Sequence, residues 1–211
     1  MSKTKEKILE KALELLNEQG VAQVSIRSIG DQLNMSPGNL SYHYANVDVI
    51  VEALYFRLVE ELDTLISESM QLASTQGIDL AFTYHSIERT FAIFQRYKFL
   101  MLDFADIMRR HERLKQHFRE LAKVRQAQFL PLFSALQAGG WVEAERYPGQ
   151  FQDWIQQASL IGDYWMASAE IMLDGDSDYK RQYYVRLFFA TLAPHLTARG
   201  LEVYHQLLAA P

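Results

Sequence analysis

The sequence has no cysteine, which excludes disulfide bridges, thiolate nucleophiles and thiolate metal sites together. It has no apolar run approaching the ~20 residues that span a bilayer, so no membrane helix and no membrane partner are expected. The amino-terminal stretch MSKTKEKILEKALELL carries lysines but no continuous apolar segment and no small-residue cleavage site. It does not read as a secretion signal, and a soluble cytoplasmic protein is the expectation. An excess of positive charge is missing as well. The net charge is −5, and residues 1–50 hold five basic side chains (Lys3, Lys5, Lys7, Lys11, Arg27) against six acidic ones (Glu6, Glu10, Glu14, Glu18, Asp31, Asp48). Phosphate-binding surfaces usually leave a basic footprint, so this balance weighs against nucleic acid as a partner. Absent too are a phosphate-binding glycine loop, a nucleophile elbow and a zinc-protease motif. No catalytic residue, metal ligand or cofactor is therefore assigned, and the chain does not read as an enzyme.

What is present is apolar and helical. Hydrophobic residues make up 49% of 211, with twelve Phe, eleven Tyr and three Trp, enough for a substantial core in one large domain or in a small one plus a larger one. Ile8, Leu9, Ala12, Leu13, Leu15 and Leu16 recur at three- and four-residue spacing, and Gly20 follows where a helix-ending glycine would sit. Ser25 suits the N-cap of a second helix reaching Leu33, with Ile26, Ile29 and Leu33 facing inward. Ser36 can cap a third helix that Pro37 opens, since proline at the first helical position loses no hydrogen bond. Asn46 can cap a fourth that begins at Val47 and runs to about Leu72. Beyond this, turn signals are few (74–79, 138–150, 174–178, 197–200). The segment 111–138 reads as one long helix with Pro131 placed to kink it. Residues 148–174 and 178–197 form the last two long helices, with a short one after Gly200. About ten helices and no strands are expected, an all-α fold.

Two short helices joined by a tight turn, with a packing helix before them, describe a helix-turn-helix. Its second short helix must enter the major groove, so its outward side chains reach base edges while an apolar residue anchors it. Leu40 suits the anchor, and Asn39, Ser41, Tyr42 and His43 remain to face outward.

Over residues 8–54 the chain resembles the TetR/AcrR family of bacterial transcriptional regulators. The resemblance rests on the glycine-ended first helix (Gly20), the serine opening the second (Ser25) and the element Leu40, His43, Tyr44 closing the third. It implies a helix-turn-helix DNA-binding domain over 1–46 and a ligand-binding and dimerisation domain over 47–211. It further implies DNA contacts from Arg27, Ser36, Pro37, Gly38, Asn39, Ser41, Tyr42 and His43, and a packing role for Tyr44. One position departs from the pattern: the family usually places a phosphate-binding lysine where this chain has Val47, leaving that contact to helix N-terminal amides.

Aromatic and methionine residues recur at helical spacing between 79 and 110, which by itself describes a core. The resemblance adds an apolar cavity for a small apolar or aromatic effector, assigned to Phe91, Phe94, Met101, Phe104 and Trp165. Apolar residues cover more than one face of the helices at 148–174 and 178–197, so a second face needs a partner. A homodimer through a two-fold four-helix interface, as in the resembled family, supplies it. The function implied is an operator-binding regulator of double-stranded DNA, a repressor released by its effector. Two other readings stay open. One is a helical adaptor that kept the fold and lost specific DNA binding, which Val47 and the acidic balance favour. The other is an all-helical metalloenzyme using His85/Glu88 or His117/Glu120, although His111 and His117, six apart, point to opposing sides of one helix.

Overall fold

The computed structural model describes residues 3–209, and within them the chain forms eleven α-helices, two short 3-10 turns (Val21–Gln23 and Ala193–His195) and no strand. The helices are α1 (Lys3–Gln19), α2 (Ile26–Leu33), α3 (Pro37–His43), α4 (Val47–Gln76), α5 (Leu80–Arg96), α6 (Lys98–Leu102), α7 (Phe104–Arg110), α8 (Glu112–Ala138), α9 (Gln150–Met172), α10 (Ser177–Ala190) and α11 (Ala198–Ala209). None is long and apolar enough to cross a membrane. The starts of α2, α3 and α4 are fixed locally by side-chain caps. Ser25 and Ser28 form a reciprocal capping box, Ser36 accepts from the Asn39 amide, and Asn46 accepts from the Val49 amide. Each cap satisfies an amide that would otherwise lack a partner at the helix start.

Three differences from the sequence reading concern where helices end. The fourth helix continues one turn past Leu72 to Gln76, because Gly77, at φ +79°, is the first residue that lets the chain leave. The helix expected over 178–197 stops at Ala190, and a 3-10 turn containing Pro194 follows. The last helix starts at Ala198, so Gly200 lies inside it. That glycine is needed for close approach: a Cβ there would stand 2.3 Å from the Trp141 carbonyl oxygen. His111 also differs, for it precedes α8 rather than belonging to it, and both His111 and His117 turn toward α4.

The largest apolar cluster is shared by α1–α4 with the end of α5, α6, α7 and the start of α8. Ile8, Leu16, Ile29, Leu40, Ile50, Leu54 and Leu114 are fully buried in it. A second cluster joins the start of α5 to α8, α9, α10 and α11 around Phe133, Trp154 and Phe189, and a third gathers Phe91, Met101, Trp165 and Tyr184. Helix α4 is thus the structural link, begun in the helix-turn-helix and packed along α5.

Candidate nucleic-acid interface

Helix α3 presents one side and buries the other. Leu40 is completely buried, and Tyr44, at its C-terminal cap, is 5% exposed. Burial pushes the Tyr44 phenol up, helped by the Glu6 carboxylate, and the Lys5 ammonium stands 5.7 Å from its ring centre. Pro37, Gly38, Asn39, Ser41 and Tyr42 are all exposed, Tyr42 at 85%. An exposed tyrosine of this degree leaves a large apolar ring in water, an arrangement suited to a contact surface. His43 is half-buried and meets the Tyr42 ring edge-on, with centroids 5.3 Å apart. Ser36 uses its oxygen lone pair on the Asn39 amide at 3.2 Å, which leaves its O–H available to donate outward. A Cβ on Gly38 would meet nothing within 4 Å, so the backbone there lies open to close approach.

Helix α2 adds Arg27 in its first turn. The residue is exposed, and its guanidinium has no ion pair or hydrogen bond among the described residues. The turn between α2 and α3 is held by Asn34 in the left-handed conformation (φ 52°) and by the Met35 amide donating to the Gly30 carbonyl at 2.9 Å. All eight candidate contacts therefore lie on α2 and α3 or on the turn into α3, seven of them exposed and His43 half-covered.

Val47, where a lysine was expected, is half-buried and packs against the largest cluster. Around it the first turn of α4 is tied to the α7–α8 corner. Arg110 stands 3.2 Å from Asp48, the buried His111 lies 3.5 Å from Asp48 and 3.4 Å from Glu52, and Arg113 is 3.5 Å from Glu52. A second tie joins α1 to the α5–α6 corner, where Asn17 donates to the Arg96 carbonyl at 2.8 Å and accepts from the Phe99 amide at 3.0 Å. Sequence reading missed both ties. The partners lie about 60 to 80 residues apart, and no local pattern marks them.

The five residues assigned to an effector cavity fall in two places. Phe91, Met101 and Trp165 are buried together, with the Phe91 and Trp165 rings stacked at 5.1 Å, and Phe94 packs beside them. Phe104 instead meets Phe118 and Tyr164. The void that reaches Trp165 is about 10 Å³, room for about one water. Trp165 Nε1 is buried and has no hydrogen-bond partner among the described residues. The His-x-x-Glu pairs are not alike. His85 bonds Glu88 at 2.8 Å on the surface, whereas His117 bonds Tyr55 at 3.0 Å. Among the described residues no group of three or more His, Asp or Glu is placed to hold a metal ion.

Helices α9 and α10 each carry two apolar faces. Trp154, Ala158, Trp165, Tyr184, Val185 and Phe189 point into the body. Leu160, Tyr164, Ile171, Tyr179, Tyr183 and Leu187 are exposed at 43–81%.

Comparison with known proteins agrees with this arrangement. Residues 8–54 match the model of "Bacterial regulatory proteins, tetR family", and residues 62–204 match "TetR: Bacterial transcriptional repressor". Over 142 residues the chain is 27% identical to the "Uncharacterized HTH-type transcriptional regulator in dhlA 5'region" of Xanthobacter autotrophicus, spanning 63% of this chain and 69% of that protein. Its fold is similar to a TetR-family regulator from Marinobacter aquaeolei VT8 (TM-score 0.86, 23% identity, 98% and 97% of the two chains). It is also similar to the ketosteroid transcriptional regulator KstR2 of Mycobacterium tuberculosis (TM-score 0.61, 12% identity, 92% or more of both chains being covered, at 93% and 97%). With its helix-turn-helix and its long helical remainder both matched, the chain belongs to the TetR family of DNA-binding bacterial transcriptional regulators.

Proposed function

We propose that the protein is a homodimeric repressor that holds double-stranded operator DNA and is released from it by a small apolar or aromatic effector. The observation that carries the DNA contact is the contiguous exposed surface of Pro37, Gly38, Asn39, Ser41 and Tyr42 over a fully buried Leu40. Ser36 and Arg27 stand ready for phosphates, and His43 lies at the edge of the same surface. In this reading residues 1–46 form the DNA-binding domain and 47–211 the effector and dimer domain. The exposed apolar faces of α9 and α10 support the dimer, because two recognition helices need a fixed spacing of about 34 Å to read successive major-groove turns. The effector enters by parting the packed Phe91, Phe94, Met101 and Trp165, where the indole N–H of Trp165, unpartnered among the described residues, offers a donor; Phe104, packed on Phe118 and Tyr164, lies outside that group. It acts by favouring the state in which α4, tied to α7 and α8 through Asp48 and Glu52, sets a mismatched spacing.

The test is a salt titration of binding to the DNA upstream of the protein's own gene. Tyr42→Ala weakens operator binding by ~1 kcal/mol or more with an unchanged melting temperature. Arg27→Ala lowers the slope of log affinity against log salt by about 1. Leu40→Ala instead lowers the melting temperature by roughly 5–15 °C, since it empties a core position. Equal operator affinity for wild type and Tyr42→Ala would remove α3 as the reading surface.

A further inference from the structure

One buried imidazole closes the α7–α8 corner onto the first two turns of α4. His111 lies between α7 and α8, with 7% of its side chain exposed. Its Nδ1 stands 3.4 Å from Glu52 Oε1, and its Nε2 stands 3.5 Å from Asp48 Oδ1. Asp48 and Glu52 are four residues apart on α4 and share one face of that helix. Each ring nitrogen therefore faces a carboxylate oxygen. Three arginines complete the surroundings. Arg110 of α7 lies 3.2 Å from Asp48 and 3.8 Å from Asp106, and Arg109 lies 3.2 Å from Asp106. Arg113 of α8 lies 3.5 Å from Glu52. All three arginine side chains are half exposed or more. Further along α8, His117 bonds Tyr55 of α4 at 3.0 Å.

We propose that His111 is a proton-operated latch: its imidazolium holds α4 to the α7–α8 corner, and its neutral form releases it. The two contacts decide which form fits. A neutral imidazole has one N–H and one lone pair. Whichever nitrogen keeps the proton, the other sets its lone pair against a carboxylate oxygen, and a ring this buried has little water to relieve the clash. The imidazolium donates from both nitrogens, and hydrogen bonds between charged groups are the stronger kind. The arginines oppose a further positive charge, but solvent screens side chains so exposed, whereas the imidazole meets its carboxylates from a buried position. The latch therefore contributes on the acid side of the range in which imidazoles change charge, and that contribution is lost as the pH rises through it. Its place in the fold gives it consequence. Asn46 caps α4 two residues before Asp48, and α3 ends at His43, so whatever fixes this end of α4 also fixes the segment that carries α3. The effect on operator rests on the regulatory reading above: a latched α4 presents α3 at one placement, and a released one loses affinity by sampling others.

The test uses the full chain without DNA, so it does not depend on operator binding. Wild type, His111→Gln, Glu52→Gln and the double variant are melted at pH 5.5 and pH 8.5. The coupling between the two sites is expected to reach about 2 °C or more at pH 5.5 and to fall by half or more at pH 8.5. Other titrating groups are common to all four proteins and cancel. Hydrogen exchange of wild type, corrected for the intrinsic pH dependence of amide exchange, needs no variant to fold. Protection of residues 47–56 falls severalfold from pH 5.5 to pH 8.5, while that of residues 65–76 does not. Equal coupling at both pH values, or protection of residues 47–56 that ignores pH, overturns the proposal. Operator titrations at pH 6 and pH 8 then compare wild type with His111→Gln. Both keep His43 at the edge of the DNA surface, so the greater loss of affinity expected of wild type at pH 8 belongs to His111. Equal losses beside an intact DNA-free latch would count against the regulatory reading alone.

Discussion

Asp163 shows what one misplaced charge does inside a helical core. It sits on α9 between Gly162 and Tyr164, partly buried, with no ion pair or hydrogen bond among the described residues, and burial pushes its carboxyl from 3.8 up to about 6. A carboxyl whose folded value is raised contributes favourably only while protonated. That contribution is fully present below pH ~3.8 and is lost as the pH rises through about 6. The difference corresponds to at most about 3 kcal/mol. Asp163→Asn is therefore expected to be more stable than wild type at pH 7.5 and nearly equal to it at pH 4. Thermal melts at the two values check this, and an equal difference at both would mean that the charge is not the cause. Tyrosines elsewhere in the core respond to the same physics: burial alone lifts Tyr55 to about 12, and burial with the Glu61 hydrogen bond pushes Tyr97 up as well.

At the scale of elements, the helix-turn-helix depends on one close approach. A Cβ on Gly30 would stand 2.8 Å from the Met35 carbonyl oxygen, which belongs to the turn that delivers α3. Gly30→Ala must push that turn away from α2, and the expected loss is ~1–3 kcal/mol of stability together with weaker operator binding. Chemical denaturation and DNA titration of the same sample measure both. A variant that kept stability but lost binding would show that the turn moved without cost to the core. The caps of α2, α3 and α4 were legible in the sequence because capping is local: Ser25, Ser36 and Asn46 reach amides only three residues ahead. The ends of α4 and α10 were not legible, because they are set by a glycine past the expected boundary and by a proline turn that packs back onto the body.

At the scale of the whole molecule, α9 and α10 leave an apolar surface that water disfavours. Ile171 is 81% exposed, and Leu160 on the same helix and Tyr183 and Leu187 on α10 are exposed too. In the proposed dimer this surface is covered. Leu187→Asp combined with Ile171→Asp places charges on it without touching the buried Trp154, Tyr184 or Phe189, so the chain should fold as a monomer and bind operator far more weakly. Sedimentation velocity reads the first outcome and a DNA titration the second. A double variant that stayed dimeric would place the interface elsewhere. The same scale explains how an acidic chain can face DNA. Arg57, Arg89, Arg96, Arg110 and Arg113 are all paired with carboxylates of α1 and α4, whereas Arg27, beside α3, has no ion pair among the described residues.

The sequence by itself determined the all-helical class, the three caps that launch α2, α3 and α4, and the division of α3 into a buried Leu40 and an exposed Tyr42. Those features follow from periodicity and from side chains acting on amides within one turn, and both are written in adjacent residues. Only the tertiary structure decided that Val47 packs inward, that His111 and His117 both turn to α4, and that Asn17 bolts α1 to the α5–α6 corner. It alone set both ring nitrogens of His111 against carboxylates of α4. Contacts between residues far apart in the chain depend on how helices cross, and helix crossing is fixed by the packing of the whole core rather than by any single segment's pattern.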